Sequence, residues 1–120
     1  MIRGIGLDVV EMDRMRMIVL EKPLFISRVL TKNEFEVFES LGDKRKVEFL
    51  AGRFACKEAF SKAYGTGIGE VGFQDIEILS LESGQPIVTK APFDGKCWVS
   101  ISHTADVAIA QIILEEKEKS

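Results

Sequence analysis

From Val47 to Tyr64 the chain is apolar on almost every side of the helix that its spacing predicts. At ~100° per residue, Leu50, Ala51, Phe54, Ala55 and Ala59 form one stripe. Phe49, Cys56, Phe60 and Ala63 cover the opposite side, leaving a narrow polar wedge with Arg53 and Lys57. A helix of this kind is expected to be buried, and buried carboxylates are rare without a partner. Glu58 nevertheless falls near the middle of the first stripe, with Lys62 one turn further on. Any fold for this chain must bury the helix and account for that carboxylate.

The elements around it read as helices first and strands later. Residues 2–10 predict a β-branched strand with Asp8 among apolar neighbours, and Met12 to Leu20 a short Met- and Arg-rich helix. Pro23 suits the first position of a second short helix, Leu24 to Leu30. Thr31-Lys-Asn-Glu34 is a capping-box signature for a third, ending near Ser40 and Gly42. Asp43 can cap the long helix and Gly65 can end it. Phe73 to Leu79, Pro86 to Thr89, Cys97 to Ser102 and Val107 to Leu114 predict strands, with turns at Ser83-Gly84 and Asp94-Gly95. Ile76 and Ile78 alternate with Asp75 and Glu77, which predicts one buried face. Val107–Leu114 is apolar on both faces, as expected of a central strand or one covered by a neighbouring subunit. The expected fold class is α+β, a small antiparallel sheet packed on one long and several short helices. Residues 1–120 read as a single domain, with 115–120 as a solvated tail.

Composition narrows the functional classes. The apolar run at 107–114 is too short to span a bilayer, no secretory signal opens the chain, and Cys56 and Cys97 read as reduced thiols, so a cytoplasmic protein is expected. Two cysteines and one histidine do not make a recognisable zinc ligand set. The net charge of −3 hides an asymmetry. From Arg14 to Lys32 five cations face the single anion Glu21, and from Lys44 to Lys62 six face Glu48 and Glu58. After Tyr64, four lysines stand against nine acids. Such a distribution disfavours duplex DNA and suits an acidic protein or a phosphorylated small molecule.

Asp8 and Glu58 are the acids most out of place, one on a strand and one on a helix. Converging, they would suit Mg²⁺, which takes one or two protein carboxylates and completes its shell with waters and substrate phosphates. Spacing alone leaves a second reading open, in which Asp8 caps a turn and Glu58 pairs with Lys62. Gly65-Thr-Gly67-Ile-Gly69 after Lys62 is neither a Walker A loop nor a dinucleotide fingerprint. It offers backbone N–H groups beside a lysine, or simply a helix end and a turn. Ser102-His103-Thr104 ends a predicted strand where an anion could bind, and no nucleophile motif surrounds Ser102 or Cys56.

Together, Gly6-Leu-Asp8 with Arg14, the run Arg53-Phe-Ala-Cys-Lys57-Glu58-Ala59-Phe-Ser-Lys62, Gly65-Thr-Gly67 and Ser102-His103-Thr104 resemble the small, trimeric type of 4′-phosphopantetheinyl transferase, the holo-acyl-carrier-protein synthases. The likeness runs in order over nearly the whole chain; Phe54 replaces a Trp of the larger type, and Cys56 a common Ala. The resemblance implies transfer of phosphopantetheine from coenzyme A to a serine of apo acyl carrier protein, releasing 3′,5′-ADP, in support of fatty acid biosynthesis. It implies catalytic Asp8, Glu58 and Lys62, with Asp8 and Glu58 holding Mg²⁺ and Glu58 or a water beside it taking the serine proton. Coenzyme A contacts are implied at Arg53, Lys62, Gly65, Thr66, Gly67, Ser102, His103 and Thr104. Arg14, Met15, Arg16 and Arg28 would dock the acidic carrier protein, with Met17 adding apolar contact. A homotrimer with active sites between subunits is implied too. The competing readings are a non-catalytic coenzyme A or nucleotide-binding module that recruits an acidic partner, and a Mg²⁺-dependent pyrophosphohydrolase.

Overall fold

The computed structural model describes residues 1–65 and 71–118. The chain runs β1 (Ile2–Glu11), α1 (Met12–Glu21), α2 (Pro23–Val29), α3 (Lys32–Glu39) and α4 (Asp43–Tyr64). A 3₁₀ turn at Phe73–Asp75 follows, then β2 (Glu77–Ser80), β3 (Pro86–Lys90), β4 (Gly95–His103) and β5 (Val107–Glu116). The strands form an antiparallel sheet in the order β1-β5-β4 and a separate β2-β3 hairpin. The α+β expectation holds, and β5 is the central strand its two apolar faces demand.

The long helix lies across β1 and β5, and the sequence permits this because the facing strand positions are small. Gly4, Gly6, Asp8 and Val10 share one face of β1 by the two-residue period of a strand. They pair across to Leu114, Ile112, Ala110 and Ala108 of β5. A methyl group added at Gly6 would stand 1.8 Å from the carbonyl oxygen of Ala59, and one at Gly4 1.9 Å from that of Ala63. Backbone touches backbone there, bringing Asp8 up to the last turns of α4. The opposite face of the sheet is apolar and open: Ile5, Leu7, Val9 and Trp98 are all more than half exposed.

Several local expectations need correction. Gly42, not Asp43, occupies the N-cap of α4, and Asp43 begins the helix, where its charge still favours the N-terminal dipole. Phe73–Asp75 is a 3₁₀ turn, so the strand predicted over 73–79 begins only at Glu77. The alternation there is incomplete as well, because Glu77 is buried along with Ile76 and Ile78, accepting bonds from Thr31 and Thr89. Strand β5 continues through Glu116, shortening the solvated tail. The polar wedge of α4 is not a solvent face: Arg53 is buried and Lys57 is 0% exposed. The third-helix capping box is present in full.

Candidate active site

Asp8 comes from β1, Glu58 and Lys62 from α4, and the close packing of those elements brings the three together. Lys62 Nζ donates to Asp8 Oδ1 at 2.9 Å and to the Leu7 carbonyl at 3.0 Å. The ammonium therefore pairs with Asp8, not with Glu58 as the structural alternative supposed. Glu58 is half-buried, and its carboxyl is pushed above the usual range, first by burial and then by the like charge of Asp8. Lys62 and Arg14 pull it back. Arg14 lies with its guanidinium 5.4 Å from the Phe54 ring centre, at the edge of the same patch.

Two facing carboxylates, one destabilised as an anion by the other, favour a cation between them. Among the described residues no group of three or more His, Cys, Asp or Glu could hold a metal ion. Two carboxylates are the protein share that a Mg²⁺ site commonly has, its remaining ligands coming from water and phosphate oxygens. The Lys62 side chain that neutralises Asp8 is itself well exposed, so it has room to turn toward an incoming phosphate.

The second set of expected ligands lies elsewhere. His103 ends β4 with Nδ1 4.0 Å from Glu48 Oε2, and Arg45 Nε is 3.6 Å from Glu48 Oε1. Glu48 and His103 stand in the wall of two open clefts, of about 620 and 610 Å³. Lys44, Arg16 and Thr104 line the first; Arg45, Arg53, Pro86 and Ile101 line the second. Glu48 precedes Glu58 by ten residues of continuous helix, which is ~15 Å along the axis. One chain therefore carries a carboxylate–lysine patch at one end of α4 and, at the other, clefts of mixed charge in which Arg16, Lys44 and Arg45 stand beside Asp43 and Glu48.

The individual residues sort as follows. Arg53 reaches its cleft, but Nε donates to the Ile78 carbonyl and Nη2 to Ser80 Oγ, both at 3.1 Å, and the group stacks 4.1 Å from the Phe49 ring centre. Burial holds its pKa below the ordinary guanidinium value. Ser102 lies exposed, level with Ile109 on the open face of the sheet. Thr104 Oγ1 accepts from the Asp106 and Val107 amides, shaping the β4–β5 turn beside His103. Gly65 caps α4 at φ 88°, a left-handed conformation that favours glycine. Thr66 and Gly67 lie outside the described residues. Of the partner-binding set, Arg14, Arg16 and Arg28 are exposed, and Met15 is not. Met15 must be struck from that set: with Met12 and Ile18 it forms the inward face of α1 and is 0% exposed. Met17 and Leu20 are the exposed apolar residues of α1. Arg16 also pairs with Asp13 and donates to the Ala105 carbonyl, tying α1 to the β4–β5 turn.

Two residues escaped the sequence reading. Glu34 was legible only as the third-position acid of a capping box, yet it is fully buried and also accepts from Lys57. Glu48 gave no signal beyond being one of two acids in a basic stretch.

A buried α4 presenting Glu58 and Lys62 beside Asp8 of β1, with Arg16, Lys44, Arg45 and His103 gathered around Glu48 further along the helix, is an arrangement suited to a phosphate-rich ligand. The model of the 4′-phosphopantetheinyl transferase superfamily matches residues 4–112, and the chain belongs to that superfamily. It is 60% identical over 117 residues to the holo-[acyl-carrier-protein] synthase of Enterococcus faecalis, covering 98% of this chain and 100% of that protein. The Bacillus anthracis holo-(acyl-carrier-protein) synthase solved in complex with CoA (3′,5′-ADP) superposes with a TM-score of 0.91 at 45% identity, covering 98% of this chain and 99% of the other. The Helicobacter pylori synthase in complex with coenzyme A gives 0.80 at 33% identity over 92% and 99% of the two chains.

Proposed function

We propose that this chain, acting as a single domain over residues 1–120, transfers the 4′-phosphopantetheine group of coenzyme A to a serine hydroxyl of apo acyl carrier protein, with 3′,5′-ADP as leaving group. The convergence of Asp8, Glu58 and Lys62 carries this reading. Relatives named for this reaction match from end to end. The serine oxygen forms a bond to the β-phosphorus of coenzyme A while the bond from that phosphorus to the 3′,5′-ADP oxygen breaks. Asp8 and Glu58 would hold Mg²⁺, which when bound neutralises charge on the pyrophosphate. Lys62, released from Asp8, would meet the phosphate oxygens or the departing 3′,5′-ADP. Glu58, or a water beside it, would receive the serine proton. A supply of holo carrier protein serves fatty acid biosynthesis, which fits a cytoplasmic enzyme; among the described residues no helix is long and apolar enough to cross a membrane.

The working unit in this reading is a homotrimer with active sites between subunits. Two observations support it. The sheet face bearing Ile5, Leu7, Val9 and Trp98 is an apolar patch of the kind that marks an interface. The His103 cleft also lies ~15 Å along α4 from the Asp8–Glu58 patch, and in a trimer a neighbouring copy's cleft would complete the site. The acidic carrier protein would dock on Arg14, Arg16 and Arg28 beside exposed Met17, Leu20 and Leu24.

Mass spectrometry of apo carrier protein incubated with the enzyme, coenzyme A and Mg²⁺ tests the reaction. The expected result is a carrier protein heavier by one phosphopantetheine arm, with equimolar 3′,5′-ADP. Coenzyme A cleavage with no gain in carrier mass would mean a pyrophosphohydrolase, and no cleavage at all would leave a binding module.

The same carboxylates set a pH dependence. A raised pKa in the folded state means that Glu58 favours the fold most when protonated. Its contribution is full below the unfolded carboxylate pKa and is lost as pH rises through the raised folded value. Mg²⁺ relieves that loss, so its stabilisation should grow as pH rises through the same interval. Thermal melts with and without Mg²⁺ at a series of pH values from the ordinary carboxylate range upward check this. A Mg²⁺ shift equal at both ends would remove Glu58 from the metal.

A further inference from the structure

Lys57 adjoins Glu58 in sequence but points the other way, into the protein, and the proposed chemistry has no use for it. Its ammonium is fully buried and all three of its N–H donors are engaged. Nζ donates to Glu34 Oε1 at 2.6 Å, to the carbonyl of Val29 at 2.6 Å and to that of Phe73 at 3.0 Å. Glu34 in turn accepts from the Thr31 amide at 2.8 Å through Oε1 and from the Ile78 amide at 2.8 Å through Oε2. One ion pair thus ties α4 to the end of α2, the start of α3, the 3₁₀ turn and β2.

The end of α2 is held a second time. Gln74, in the middle of the 3₁₀ turn, directs Nε2 at the carbonyls of Ser27, Arg28 and Leu30, at 3.1, 3.0 and 2.8 Å. The last carbonyls of a helix have no partner within it. Here Lys57 and Gln74 supply donors from outside for the final turn of α2. That helix has only seven residues and no side-chain cap at its start, too short to be stable by itself. Its orientation is therefore set by what grips its end, and Arg28 sits in the gripped turn.

We propose that Lys57 and Gln74 are positioning residues that lock the C-terminal turn of α2, and with it Arg28, to the helix carrying Glu58. The docking surface for the carrier protein and the catalytic carboxylate then form one rigid body, and a carrier bound at Arg28 presents its serine at a fixed distance from Glu58. The 3₁₀ turn belongs to the same body, because Lys57 and Gln74 both bond through it. This inference rests on the assignment of the α1–α2 face to the carrier protein.

Steady-state kinetics with apo carrier protein, coenzyme A and Mg²⁺ separate a positioning role from a merely structural one. Gln74 is exposed, so Gln74→Ala removes the grip on α2 while leaving the buried ion pair intact. It should raise the KM for carrier protein about tenfold, with kcat and the KM for coenzyme A within about twofold. The double variant Lys57→Met with Glu34→Gln removes the pair without leaving a buried charge unmatched, and should show the same split at larger size. Arg28→Ala supplies the reference, a raised KM for carrier protein. If it raises that KM while Gln74→Ala and the folded double variant do not, the positioning role is wrong. If both variants raise both KM values equally, the residues only stabilise the fold. If Arg28→Ala has no effect, the docking face itself is misassigned.

Discussion

Glu58→Gln should remove transfer almost entirely while leaving the protein folded and, without metal, at least as stable as the parent. The two halves of that outcome share one cause. Burial and the charge of Asp8 disfavour the Glu58 anion more than Lys62 and Arg14 favour it, so ionising it costs the metal-free fold stability. The amide keeps the shape of the side chain and removes the charge, and the melting temperature should hold or rise. The same change weakens the metal pair and deletes a proton acceptor. Losses on the order of 10³-fold in kcat/KM, about 4 kcal/mol of transition-state stabilisation, follow for a group used in both ways. The Mg²⁺-dependent rise in melting temperature should disappear with the activity. Purified Glu58→Gln assayed by carrier mass gain and by melts with and without Mg²⁺ checks both. Activity within tenfold of the parent would return Glu58 to a structural role, and a sharply lowered melting temperature would mean that its charge supports the fold.

The legible parts of this molecule were those governed by local rules. The capping box at Thr31, the stop at Gly65 and the double-faced apolarity of β5 each depend on residues close in sequence, and each appears as expected. Asp8 and Glu58 were conspicuous because a charge in an apolar run violates a local pattern, which is how active sites tend to announce themselves. What stayed hidden depends on residues distant in sequence. Lys57 on a helical wheel is an ordinary cation in a polar wedge; only α2, α3 and the 3₁₀ turn folding over it make it an interior group. Met15 misled for a related reason: α1 carries methionines at 12, 15 and 17, and periodicity does not say which stripe faces α4. Glu77 lost its place in an alternating pattern because Thr31, Thr89 and Asn33 reach it with hydroxyl and amide donors. The resemblance placed His103 with Lys62 and the Gly65 loop in one set of coenzyme A contacts; the ~15 Å along α4 between Glu48, beside His103, and Glu58 follows only from the full length of the helix.

The largest effect on stability should come from a residue with no side chain. Gly6→Ala adds one methyl group 1.8 Å from the Ala59 carbonyl oxygen and 2.9 Å from the Ala63 amide nitrogen. Both are backbone atoms of a helix locked on its other sides, so no rotamer change can make room. Ordinary contact requires β1 and α4 to separate by roughly 1.5 Å or more, opening gaps along Val10, Ala59 and Ala110. Overpacking of this kind costs ~3 kcal/mol, which lowers the melting temperature by on the order of 10 °C in a domain of this size. Asp8 lies two residues further along the same strand face and moves with it. A displacement of ~1 Å at a reacting group can cost ~100-fold in rate, so activity should fall even at temperatures where Gly6→Ala is folded. Gly42→Ala is the control, because its added methyl meets nothing within 4 Å at an ordinary φ of −74°. Its activity should match the parent, and its melting temperature should fall only to the extent of the roughly 1 kcal/mol that alanine costs at an N-cap. A Gly6→Ala protein as stable and active as Gly42→Ala would mean that the strand–helix contact yields freely. The placement of Asp8 against Lys62 would then owe nothing to the missing side chain at position 6.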